Sequence, residues 1–140
     1  MSGRLQLGLR WLKFNAVGAI GIGVQLAALA LYKGGFGIYY LTATAMAVET
    51  AVLHNFVWHE RWTWRERTRL DSGRRSLLGR LLRFHLSNGL VSILSNVVLM
   101  RFFAGYLGLH YMVANLIAIA ITALANFALS EWFVFPAKTA

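Results

Sequence analysis

Residues 111–133 read YMVANLIAIAITALANFALSEWF, a run with no charged side chain before Glu131. At a rise of about 1.5 Å per residue, about 20 such residues in a helix cross a hydrocarbon core about 30 Å thick. Three more runs have the same character, at about residues 14–32, 40–58 and 84–103. Backbone amides find no water in hydrocarbon and must pair within their own segment, which a helix achieves alone. The runs are continuous and rich in Ala and Leu, unlike the alternating strands of a barrel. The reading is an all-α, polytopic membrane protein of four transmembrane helices. Composition agrees: of 140 residues, 58% are hydrophobic and 14% charged. The mean hydropathy is +0.56. A soluble domain of this size needs more charge to cover its surface.

Glycines mark two short turns, Gly34, Gly35 and Gly37 in the first and Gly105 and Gly108 in the second. The spans therefore pair as antiparallel hairpins. Arg4, Arg10 and Lys13 ahead of the first run resemble the start of a signal peptide, but the run outlasts the apolar region of such a signal. Lys and Arg set the orientation. Arg4, Arg10, Lys13, the arginines from Arg61 to Arg83, and Lys138 fall on one side of a four-span layout, with Lys33 and Arg101 on the other. The topology expected is N-in/C-in, multi-pass, in the cytoplasmic (inner) membrane. The formal charge of +9 then orients the chain and meets anionic membrane lipids. No nucleic-acid recognition module accompanies it. The chain has no cysteine, hence no disulfide and no thiolate metal site.

Sliding the chain along itself by 71 residues sets Gly18 on Gly89, Gln25 on Asn96, Tyr40 on Tyr111, Asn55-Phe56 on Asn126-Phe127 and Glu60 on Glu131. Polar residues inside spans are rare and costly, so their agreement points to an internal repeat. Repeat 1 covers about residues 10–64 and repeat 2 about 81–135, with a basic cytoplasmic loop at about 59–83, all within one transmembrane domain over 1–140. Each copy holds two helices, so both sit the same way up as parallel repeats.

The polar residues of the spans cluster on helix faces. The third run places Asn88, Ser92, Ser95 and Asn96 together, and the first Phe14, Gly18, Gly21 and Gln25. The second aligns Thr44, Ala51 and Asn55, and the fourth Asn115, Thr122 and Asn126. Such residues either join helices or line a polar path. Gln25, Asn55, Asn88, Asn96 and Asn126 are candidates for substrate contact. Glu49 joins them as the acid placed well inside a span, where it must protonate, pair or face water. The repeat sets Ala120 opposite it. No nucleophile–base constellation, metal-spaced cluster or phosphate-binding glycine loop emerges, so neither catalysis nor a cofactor is expected.

At the end of the second run Trp58, Trp62 and Trp64 fit an interfacial aromatic belt around Arg61. Lys13, Arg80 and Arg83 reach the same level from other helices. Lys13, Arg61, Trp62, Arg80 and Arg83 are the candidates for holding a lipid phosphate, since a guanidinium fork matches phosphate oxygens. Snorkelling to the interface is the simpler role for the same side chains.

Three stretches resemble the GtrA-like family over about the whole chain. They are Phe14-Asn15-Ala16-Val17-Gly18, Asn55-Phe56 through Arg61-Trp62-Thr63-Trp64, and the weaker Asn126-Phe127 through Phe133-Val134-Phe135. The second copy departs from the pattern, with Ser130-Glu131-Trp132 where a basic residue is usual. The resemblance implies a role in cell-surface polysaccharide or glycolipid synthesis. That role is flipping a polyprenyl-phosphate-linked sugar beside the membrane glycosyltransferase that makes it. One four-helix copy offers little interior, so a homo-oligomer, a dimer or larger, is expected. Two other roles compete: a non-transporting anchor or scaffold for that glycosyltransferase, and a small proton-coupled exporter using Glu49.

Overall fold

The computed structural model describes residues 2–138, and the regular elements among them are all helical. Helix α1 (Gly3–Leu29) runs on through a π-helical turn at Ala30–Gly35, and α2 (Tyr40–Trp58) through one at His59–Thr63. A short α3 (Arg65–Thr68) and a 3-10 turn (Arg69–Asp71) follow. Helix α4 (Arg74–Phe84) passes through a π turn at His85–Val91 into α5 (Ser92–Met100), which ends in another at Arg101–Tyr106. Helix α6 (Tyr111–Leu129) closes with a π turn at Ser130–Val134. The chain divides between Leu70 and Asp71 into two compact units.

The first unit is a hairpin in which α1 packs along α2. Contacts pair Phe14 with His59 near one end and Tyr32 with Thr50 towards the other, so the helices run antiparallel. The stripe Ala43, Ala47 and Ala51 on α2 is buried, as are Val17, Gly21 and Ala28 on α1. Small residues let two helices come close where hydrocarbon offers no hydrophobic drive between them. The second unit pairs α5 with α6, and the stripe on α6 is Ala114, Ala118 and Thr122.

Both turns reverse on one glycine in the left-handed region, Gly37 (φ 66) and Gly108 (φ 70), which are 71 positions apart. Gly34 and Gly35 instead lie in the last turn of the helix that precedes the bend. The helix limits recur at the same interval, Tyr40–Trp58 against Tyr111–Leu129 and His59–Thr63 against Ser130–Val134. Within the long helix of each unit the two differ: the second has a π turn at His85–Val91, while the first is unbroken α-helix from Gly3 to Leu29.

Among the described residues, three helical stretches are long and apolar enough to cross a membrane: Gly3–Gly35, Arg74–Tyr106 and Val113–Val134. Helix α2 is not among them, although four spans were expected. Glu49, His54, Asn55 and its threonines dilute its apolar character. Large apolar side chains such as Ile20, Leu26, Ile93, Val98 and Leu116 are exposed, as lipid-facing residues are. The basic stretch at 59–83 is helical over most of its length rather than an open loop.

Candidate functional site

The polar end of the first unit is built by side chains one helical turn apart. Trp58 and Trp62 share a face and meet edge to face at 6.2 Å. From α1, the Lys13 ammonium lies 5.4 Å from the Trp62 ring centroid and donates to the Trp62 carbonyl at 3.5 Å. Arg61, next in sequence to Trp62, is exposed, and Arg10 pairs with Glu66 at 3.3 Å. Trp64, expected in the aromatic belt, is instead fully buried. It meets Phe14 at 6.2 Å and His59 at 5.2 Å, and the Phe14 and His59 rings stack at 5.0 Å. The chain turns sharply at Trp64 (φ −117, ψ 28), which carries its ring back onto the hairpin.

In the second unit Arg83 sits over Phe133, its guanidinium carbon 5.9 Å from the ring centroid. Arg80, placed by sequence at the headgroup level, is buried. It donates to the Asp71 carbonyl at 3.0 Å and lies 3.8 Å from the Asp71 carboxylate. A structural partner thus takes up a cation expected to meet lipid. Asp71 also accepts from Ser76 and pairs with Lys138 at 3.2 Å. The Ser76 hydroxyl and the Lys138 ammonium hold its carboxyl below the ordinary value.

Two of the amides inside the spans, Asn88 and Asn126, join helices. Asn126 donates to the Ser92 hydroxyl at 2.6 Å, and Asn88 reaches Ser130 at 3.4 Å and Ser87 at 3.2 Å. Asn96 donates to the Ser92 carbonyl of its own helix at 3.0 Å. Asn55 lies against Gly21 and contacts His54 Nδ1 at 3.2 Å. Gln25 is half-buried on α1, and Glu49 is exposed on α2. Asn115 is exposed, although the wheel puts it on the face of Thr122 and Asn126. It lies near the end of α6, where the buried seam begins with Ala114.

Sequence reading had not singled out Ser130, nor the bond of Tyr32 to Thr50 at 2.9 Å. The signal for Ser130 was its i+4 spacing from Asn126. Tyr32 showed none, because it closes a contact set by the turn. Among the described residues no group of His, Asp or Glu could hold a metal ion.

Paired apolar helices with cations and aromatics gathered at their polar ends define an integral membrane domain. The chain belongs to the GtrA/DPMS transmembrane domain family, whose pattern matches residues 13–135. It is 36% identical over 116 residues, 81% of its length, to a dolichol-phosphate mannosyltransferase of Pyrococcus furiosus. The matched region is 30% of that protein, so the chain spans about a third of the relative's length.

Proposed function

We propose that this chain moves a polyprenyl-phosphate-linked sugar across the cytoplasmic membrane, beside the glycosyltransferase that makes it. The family and the relative's name supply the lipid class. The observation that carries the reading is the end of the first hairpin, where Lys13 lies over the Trp62 ring and Arg61, next in sequence to Trp62, is exposed. A phosphate at headgroup depth suits that set: a guanidinium fork, an ammonium and amphipathic rings. The topology proposed is N-in/C-in with four spans, because α2 lies antiparallel along α1 and must share its depth. Helix packing engages Asn88 and Asn126, and one copy offers little interior, so a path for the sugar calls for an assembly of copies.

A second reading is a non-transporting anchor for the glycosyltransferase. Two observations favour it: Asn88 and Asn126 bond serines of a neighbouring helix, and the matched region is a minor part of a larger mannosyltransferase. In neither reading does the chain itself catalyse. Purified protein in liposomes carrying a labelled polyprenyl-phosphate sugar separates them. Accelerated transbilayer movement supports transport, and its absence with folded protein leaves the anchor.

A further inference from the structure

The two hairpins end in a similar device built from different residues. Phe133 stands 71 positions after Trp62, and each ring has a cation over it, Arg83 at 5.9 Å and Lys13 at 5.4 Å. In the sequence the second copy has no such cation where one is looked for. Trp132 replaces Arg61, and nothing basic lies between Phe127 and Pro136. The structure supplies the charge from α4 instead.

Arg83 carries a second peculiarity. Its Nε is buried and finds no hydrogen-bond acceptor among the described residues. A guanidinium stays protonated in proteins, and a buried donor left without an acceptor is destabilising. The ring face attracts the cation but leaves the edge donors of the planar group unserved. Nε–H and a neighbouring Nη–H form the fork that fits two oxygens of one phosphate. The residue as a whole is half-buried.

We infer that Arg83 and Phe133 form a second phosphate-binding site, so that the chain holds two lipid phosphates, one at the end of each hairpin. The inference rests on the functional reading above and extends it by giving the second repeat an anion site of its own.

Binding stoichiometry tests it independently of transport. Purified protein is titrated with a short-chain polyprenyl phosphate in one arm and phosphatidylglycerol in the other, and bound lipid is counted by native mass spectrometry. Wild type is expected to hold two phosphates in at least one arm, and that arm identifies the source. Arg83→Gln and Lys13→Gln are each expected to hold one. A wild type that holds at most one in both arms, or an Arg83→Gln that still holds two, overturns the site. Should Arg83→Gln fail to fold, Arg83→Lys decides. It keeps a charge over the ring without the fork, and the second phosphate is expected to bind at least fivefold more weakly; unchanged affinity overturns the site. Two bound phosphates without transbilayer movement would leave this site standing while the transport reading fell.

Discussion

The side-chain amide of Asn126 donates to the hydroxyl of Ser92 at 2.6 Å, tying α6 to α5. The positions 71 residues earlier are Asn55 and Gly21, where the same asparagine rests on a bare backbone. One half joins its helices by a hydrogen bond and the other by close approach, and the two should respond differently to substitution.

In the second hairpin, Ser92→Ala is expected to cost about 0.6 kcal/mol, and at most about 1.7 kcal/mol, the range for hydrogen bonds between helices in membranes. Asn126→Ala should cost a similar amount. The double variant should cost less than the sum, because both remove one bond. Reversible unfolding in mixed micelles measures all three.

In the first hairpin a methyl group on Gly21 would lie 2.9 Å from Asn55 Cγ, closer than packed atoms sit. The end of the Asn55 side chain must turn aside, so Gly21→Ala should destabilise by about 1 kcal/mol, the low end of the cost of overpacking. Adding Asn55→Ala should recover most of the loss. Gly23→Ala, with nothing within 4 Å of its added carbon, should unfold no more readily than wild type.

Asp71 gives a pH dependence with a definite sign. Its folded pKa lies below the ordinary 3.8, first through Ser76 and then Lys138. Its stabilising contribution is therefore fully present well above 3.8 and is lost as pH falls through the lowered value. The melting-temperature difference between wild type and Asp71→Asn should stay constant from about pH 7 to about pH 5, where neither folded nor unfolded carboxyl titrates. It should shrink in more acid solution.

Glu49 is exposed on α2, so Glu49→Gln should fold as wild type does. Under the lipid-flipping account the pH profile of its transport should also match wild type. Proton-dependent transport abolished by the substitution would instead identify an exporter.

Much of the architecture could be read from residues. Four apolar runs read as spans, three of which lie in helices long and apolar enough to cross a membrane, and Gly37 and Gly108 mark the two reversals because glycine adopts that φ without strain. Helix α2 reads as the fourth span, and its polar residues leave it too dilute to qualify by apolarity. The polar faces were visible as spacing, but spacing does not say whether an amide meets a substrate or the next helix. Asn126 and Ser92 show the second outcome. The contact of Arg80 with Asp71 could not be read from spacing, because Asp71 reaches it through a turn no periodicity describes. The contact of Arg83 with Phe133 joins residues fifty positions apart and had no local signature.

The most direct test of the central claim compares wild type and Arg61→Ala in liposomes containing a fluorescent polyprenyl-phosphate sugar, following its movement between leaflets. Arg61 is exposed, so its loss should leave the fold intact. The account predicts fast movement with wild type and at least a tenfold slower rate with the variant, a loss of about 1.4 kcal/mol in the transition state. Equal rates in the two proteins, or no movement with folded wild type, would contradict it.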